Sequence, residues 1–487
     1  MFYAIVNLMR SKTKTKTGAY ELPTTRRKEV FMNGLINTKI GINRGVSRIW
    51  FEGHRLKPLF NIGDKLDLIF DETKKRAMLV VSENGIFTVS KRTRNGSVYP
   101  LIEIKTDELI DFFGAVGTKI RIVLKMGVAS LELHSHDINS KNMYQRFEES
   151  IRNKKITVGS LFSGVGILDS ALHDGFKRSN ISTLTRYAVE QEKKYLDAMI
   201  KNQSYLFDDE SFFIESQIEL VDLKKPPLVD AIIMGIPCTG VSTSGITKNK
   251  LDFAEQHESS GACFFYALNF ILKCKPWLIV LENVKNYIST ASYAVIKSVL
   301  ITQGYTLSDA IFTGTDFGSL ENRERLCLVA TATGIPNVKL SDVKSLKEKP
   351  AFLSDILEDI PVGDARWKSY DYLELKQQRD IEQGKGFRRC LLDGSETKVP
   401  VIRRLYNKGG STDPFVKSKD GLLSRKFTKT EHAAIKDIPL SLIDGLSETI
   451  SHECMGQSVC YPVFEALGKY LGDFFCDLFN DDKQLTI

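Results

Sequence analysis

Eight cysteines, at 238, 263, 274, 327, 390, 454, 460 and 476, form no CxxC pair and no zinc-ligand spacing. This excludes a disulfide framework and a cysteine-rich metal module, and scattered thiols suit a reducing compartment. No apolar run approaches the roughly 20 residues of a membrane span. The short apolar start turns basic by Arg10 and shows no h-region or cleavage site, so a cytosolic protein is expected. No internal repeat or low-complexity tract stands out. With 42% apolar residues and 26% charge the chain is neither disordered nor collagen-like, and 487 residues leave room for two to four domains, of which two or three are expected.

The formal charge of +7 is unevenly placed. Residues 1–150 hold 25 basic and 16 acidic side chains, whereas the other 337 hold 42 and 44. Arg10, Lys12, Lys14, Lys16, Arg26, Arg27 and Lys28 concentrate the excess at the front. Such a patch suits a polyanion such as nucleic acid; a solvated tail is the plainer alternative.

Residues 30–135 read as short alternating strands, including 65–70, 77–81, 85–89, 119–124 and 128–133. Glu83-Asn84-Gly85 and Asn95-Gly96 are hairpin signals, and one helix is expected near 108–113. A polar linker follows over 134–155, partly helical around 144–151. From Ile156 apolar strands (156–160, 186–189, 231–234, 278–281) alternate with helices (166–174, 192–203, 262–274), which predicts a parallel sheet covered on both faces. The stretch 331–424 loses this rhythm and reads as a loop-rich insert; a helix-rich part closes the chain over 427–478.

Four motifs carry chemistry. Leu161-Phe162-Ser163-Gly164-Val165-Gly166 joins a strand to a helix, where backbone amides favour an anion. It lacks the third glycine of a dinucleotide fingerprint. Glu190 ends the next strand, where a carboxylate can take ribose hydroxyls; a surface Glu is the plain alternative. Gly235-Ile236-Pro237-Cys238-Thr239-Gly240 puts a cysteine on a stiff loop at a strand's carboxyl end, so Cys238 is a candidate nucleophile, or else a small buried side chain. Glu282-Asn283-Val284 ends an apolar strand, where a carboxylate is costly unless paired or working. In Glu321-Asn322-Arg323-Glu324-Arg325-Leu326 the two arginines point to one side of an extended segment; alone, this reads as a solvated edge strand.

In this order and at these spacings the motifs resemble those of the DNA cytosine-5 methyltransferase family. The likeness covers 156–330 and 425–475, where 425–439 and Met455-Gly456-Gln457-Ser458-Val459 are similar to the family's last two motifs. It implies an α/β fold, a Rossmann-like methyltransferase with an inserted target recognition domain over 331–424, completed by 425–487. Residues 1–150 stand outside it as a β-rich, basic accessory domain, with 151–330 as the first part of the catalytic domain.

Carried over, the resemblance implies that Phe162, Gly164 and Gly166 line an S-adenosylmethionine pocket. Glu190 holds the ribose, Ile218 and Pro237 flank the adenine, and Ser458 and Val459 close the pocket. It makes Cys238 the nucleophile at carbon 6 of a flipped cytosine, Glu282 the partner of its ring nitrogen 3, and Arg323 and Arg325 supports for the base, with no metal. Ser242 and Lys248 fall in a loop that closes on DNA. The insert's Arg388, Arg389, Arg403 and Arg404 suit guanine contacts in a major groove, or else a solvated loop. Departures from the pattern include Thr239, Val241, Gln191, Gln217, Cys263 and Gln457, and Leu320-Glu321 replaces Pro-Gln. The expected product is S-adenosylhomocysteine. The expected partners are duplex DNA, met as a monomer in a bacterial cytoplasm, and a cognate restriction endonuclease. Modification of tRNA and an inactive DNA-binding regulator are the rival readings.

Overall fold

The apolar runs of the second part of the chain become strands of one sheet, as their continuous Val, Ile and Leu content requires when both faces are covered. The computed structural model describes residues 34–222, 224, 226–237, 254–257 and 260–480. The strands are β1 (Lys155–Leu161), β2 (Ser182–Glu190), β3 (Phe212–Glu215), β4 (Ala231–Gly235), β5 (Leu278–Val284), β6 (Tyr305–Thr313) and β7 (Glu324–Ala332). Their order is β3-β2-β1-β4-β5-β7-β6. The first five run parallel, and β7 is antiparallel to both β5 and β6. The edge-strand reading of the arginine segment is thereby corrected: β7 lies inside the sheet, and Leu326 to Ala330 are buried.

The flanking helices are α1 (Ser135–Arg152), α2 (Ile167–Arg178), α3 (Lys193–Asn202), α4 (Cys263–Cys274) and α5 (Ala291–Thr302), with α6 (Asp371–Glu382) in the insert. Three more, α7 (Lys429–Lys436), α8 (Glu448–Gln457) and α9 (Tyr461–Asn480), complete the described chain. The chain divides into two compact units between His134 and Ser135, sixteen residues before the boundary expected from sequence. α1 belongs wholly to the second unit, where Phe147 lies edge-on to Trp277 and Phe475. α9 crosses α2 closely enough that a Cβ on Gly175 would meet the Lys469 amide at 2.7 Å. No helix among the described residues is long and apolar enough to cross a membrane.

The insert is not a compact unit of its own. Its three short strands, Cys390–Leu392, Pro414–Lys417 and Ser424–Arg425, pair in that order. Its core residues Leu353, Leu392, Val399, Ile402, Tyr406 and Val416 cluster with Leu320, Phe427 and Ile435 from outside it.

The first unit is an internal duplication, although no repeat is apparent in its sequence. One half holds strands Gly34–Lys39, Gly41–Asn43, Val46–Glu52, Lys65–Asp71 and Arg76–Val81. The other holds Phe87–Thr88, Ser90–Arg94, Ser97–Lys105, Lys119–Lys125 and Val128–Leu133. Val46–Glu52 pairs with its counterpart Ser97–Lys105, and Arg76–Val81 with Val128–Leu133. The first strand of each half instead pairs with the fourth of the other. Gly63 and Gly117 both take left-handed φ, 98° and 95°. Their amides donate to Val89 and Ile40 carbonyls, each at 2.8 Å, and the Val89 and Ile40 amides donate back to Asp64 and Thr118 carbonyls, each at 2.9 Å. A pseudo-two-fold axis therefore relates the halves. Leu56 and Leu109, Phe60 and Phe113, Leu66 and Ile120, and Leu79 and Leu131 occupy matching places in one core.

Candidate active site and cofactor cradle

The carboxyl ends of the parallel strands carry Glu190 and Glu282 and lead into Phe162 and Pro237, the usual ligand edge of such a sheet. After β1 the backbone turns through left-handed conformations at Phe162, Gly164 and Gly166 before α2 begins. The Gly164 amide donates to Glu190 Oε2 at 2.8 Å and the Glu192 amide to Oε1 at 2.9 Å, so Glu190 is fixed at the end of β2. Burial pushes its carboxyl pKa up, against the pull of those amides. A Cβ built on Gly164 would meet nothing within 4 Å, leaving that side of the loop open. Ser163 Oγ is buried without a hydrogen-bond partner among the described residues. Ile218 and Val459 are buried and belong to the same core cluster. The Ser458 hydroxyl donates to the Met455 carbonyl at 2.9 Å.

On the other side of β1, Gly235 of β4 is opposite Glu282 of β5. Asn283 Nδ2 donates to the Ile236 carbonyl at 3.1 Å and so holds the chain leading into Pro237. Cys238, Ser242 and Lys248 lie outside the described residues. Four buried thiols are poor nucleophiles: burial pushes Cys263 up to about 11 and Cys454 and Cys460 up to about 12, and drives Cys327 higher still.

Glu282 is mostly buried, its side chain 14% exposed, and Arg325 Nε lies 2.9 Å from its Oε1. Burial raises its pKa; Arg325, Arg323 and Lys436, in falling order, oppose that rise. Arg323 is also buried and donates through Nη2 to the Gly456 carbonyl at 3.1 Å, while its Nε has no partner among the described residues. The structure thus brings Glu282, Arg323 and Arg325 together and adds Lys436, which sequence reasoning missed. Its only signal was a lysine in the apolar stretch Ala433-Ala434-Ile435-Lys436.

The insert's four arginines part company. Arg388 is exposed. Arg403 is half exposed but bound to the buried Asp413 carboxylate at 2.8 Å, and Arg404 reaches the Tyr195 hydroxyl of α3 at 3.3 Å. Arg389 is 7% exposed and bonds Ser424 Oγ at 2.9 Å, with Glu374 at 3.5 Å. Its guanidinium is spent inside the segment rather than offered to a groove.

Comparison with known proteins agrees with this geometry. The chain is 28% identical over 266 residues to the Type II methyltransferase M.SsoII of Shigella sonnei, covering 53% of this chain and 67% of the relative. It is 28% identical over 329 residues to M.Bsp6I of Bacillus sp. (strain RFL6), covering 64% and 98%. The crystal structure of the S. pombe Dnmt2 methyltransferase aligns with a TM-score of 0.51 at 17% identity, covering 66% of this chain and 99% of that one, a likeness of fold. A family model for C-5 cytosine-specific DNA methylases spans residues 156–473, the sheet and everything that completes its carboxyl edge. On that match the chain belongs to the C-5 cytosine-specific DNA methylase family and is a DNA cytosine-5 methyltransferase.

Proposed function

We propose that the chain transfers a methyl group from S-adenosylmethionine to carbon 5 of a cytosine flipped out of duplex DNA, through a covalent adduct with Cys238. The fit to the donor rests on the Glu190 carboxylate, the open side of Gly164 and the unpartnered Ser163 hydroxyl, all at one sheet edge. Phe162, Gly164, Gly166, Glu190, Ile218, Pro237, Ser458 and Val459 would hold S-adenosylmethionine, which supplies an electrophilic methyl group when bound.

Carbon 5 of cytosine is a weak nucleophile. The Cys238 thiolate adds to carbon 6 while the Glu282 carboxyl gives a proton or hydrogen bond to ring nitrogen 3, so the electron pair of the 5,6 double bond becomes available at carbon 5. Once carbon 5 is methylated, loss of its proton restores the double bond and expels Cys238 as thiolate, and the nitrogen 3 proton returns to Glu282. The observation that carries this reading is the mostly buried Glu282 carboxyl, raised by desolvation, held by Arg325, and opposite Gly235 three residues before Cys238. A duplex hides these atoms, so the base must leave the stack at a cost of a few kcal/mol. Arg323 and Arg325, with Ser242 and Lys248 of the loop, offset that cost.

Target choice falls to 331–424, with the exposed Arg388 and the outward Arg403 and Arg404 as its DNA contacts. Residues 1–134 add duplex affinity. On one sheet face Arg48 and Lys105 share Glu103, at 3.1 and 3.3 Å, and Arg92 and Arg94 share Glu52, at 3.5 and 4.0 Å, around the exposed Trp50. Four cations over two carboxylates leave that face positive. The basic residues Arg10 to Lys28 lie outside the described residues. The relatives' names, Type II methyltransferases, support work beside a cognate restriction endonuclease. A monomer on DNA in a bacterial cytoplasm completes the reading.

The test is transfer of tritiated methyl to plasmid DNA free of 5-methylcytosine, with bisulfite sequencing of the product. Cys238→Ala should abolish transfer, and retained transfer by that variant would defeat the mechanism. Removal of residues 1–134 should weaken DNA binding and flatten its salt dependence; an unchanged salt slope would remove the accessory role.

A further inference from the structure

Glu321 takes no part in the chemistry above, yet it is fully buried beside the residues that do. Its Oε1 accepts the Ile402 amide of the insert at 2.7 Å and lies 3.7 Å from Arg323 Nη1. Its Oε2 lies 3.4 Å from Lys436 Nζ of α7 and accepts the Cys460 thiol, also at 3.4 Å, at the entry to α9. Lys436 is equally buried and donates to the Met455 and Ser458 carbonyls, the latter at 3.0 Å.

The backbone around Glu321 is clamped from two sides. The Asn322 amide donates to the Val399 carbonyl at 2.8 Å and the Val399 amide to the Leu320 carbonyl at 2.7 Å, both bonds to the insert. The Leu320 amide donates to the Ile435 carbonyl of α7 at 2.9 Å. One carboxylate therefore touches the insert, α7, the start of α9 and the first arginine. Stability alone is a poor account of it, because a buried ion pair is often no better than apolar residues of the same shape.

We propose that Glu321 is a positioning residue: paired with Lys436, it sets Arg323, and two residues further on Arg325 of β7, against Glu282 according to how the insert around Ile402 is seated on DNA. Glu282 is the group that works on the base, and Arg325 reaches it directly, so an error at Glu321 is felt as misplacement of the catalytic carboxyl. Displacement of about 1 Å at such a distance can cost on the order of a hundredfold in rate.

This inference rests on the role assigned to Glu282. Glu321→Gln keeps the shape and the acceptor for Ile402 but removes the charge. With plasmid DNA as substrate, kcat should fall at least about tenfold while KM for S-adenosylmethionine and DNA affinity stay within about twofold. The double variant Glu321→Gln/Lys436→Gln leaves no unpaired charge between these two positions. It should regain any lost melting temperature and keep the low kcat. Return of kcat together with stability would show a purely structural pair and overturn the proposal, as would an unchanged kcat in Glu321→Gln. If the single variant does not fold, the double variant decides alone. Glu282→Gln serves as the control: full activity there defeats the proposed chemistry, whereas its inactivity beside a fully active Glu321→Gln defeats this inference only.

Discussion

Arg325 Nε stands 2.9 Å from Glu282 Oε1 across an antiparallel pair in which Arg325 is opposite Val284, so the guanidinium reaches diagonally to the carboxyl. Two opposed forces meet there: burial favours the neutral acid and the arginine favours the carboxylate. Removing the arginine leaves burial with less opposition. In Arg325→Met the Glu282 pKa should rise further, so the acid persists to higher pH and the alkaline limb of the kcat profile moves upward. Glu282→Gln should lose on the order of a hundredfold or more in kcat and lack that limb. A limb that stays in place in Arg325→Met would break the assignment.

Asp169 of α2 offers a stability test beside the loop that follows β1. It is buried, its Oδ1 lacks a partner among the described residues, and burial raises its pKa to about 6. An acid whose folded pKa lies above its unfolded value near 3.8 costs nothing when both states are protonated. Stability is therefore lost as pH rises from about 4 through 6. Asp169→Asn removes that ionisation. It should stabilise the protein by about 1–3 kcal/mol at pH 7.5 and by well under about 1 kcal/mol at pH 4, read from urea unfolding at the two values. Equal effects at both pH values would contradict the assignment.

The duplication in the first unit predicts a matched pair. Gly63 and Gly117 share a left-handed backbone and open space around a Cβ, so alanine there meets strain and no clash. Gly63→Ala and Gly117→Ala should each destabilise residues 1–134 by about 1–2 kcal/mol, in equal measure, by thermal unfolding. A difference above about 1 kcal/mol would mean that the halves are not energetically equivalent.

Exchange of 331–424 for the matching segment of a relative should change the sequence methylated, as bisulfite sequencing would report. Because Leu320, Phe427 and Ile435 complete the insert's core, a chimaera keeping these three should be less stable than one in which they are matched to the donor segment. An unchanged target site would end the assignment of specificity to this segment.

The strands around the site were legible because covered parallel strands are written as apolar runs: 231–234 and 278–281 lie within observed β4 and β5. Phe212–Glu215 escaped because four residues at a sheet edge carry little pattern, and Tyr305–Thr313 because Ser308 and Asp309 interrupt it. Glu190 and Glu282 were legible as charges where a strand should end, and the two arginines as charges just before an apolar run. Glu321 and Lys436 were not: each alone reads as a surface residue, and only a fold that brings positions 115 residues apart to 3.4 Å makes them a pair. The repeat stayed hidden because one extra residue between Phe113 and Gly117 breaks the spacing that runs from Phe60 to Gly63.

The close crossing of α2 by α9 bears on how the enzyme comes into being during translation. α2 opens directly from the glycine-bearing loop after β1, and Gly175 is shaped for a partner nearly three hundred residues later. A ribosome therefore releases the β1–α2 unit long before its cover exists. The face of α2 that packs on α9 stays uncovered until Tyr461–Asn480 has emerged, so a message cut short leaves that otherwise buried face open to solvent.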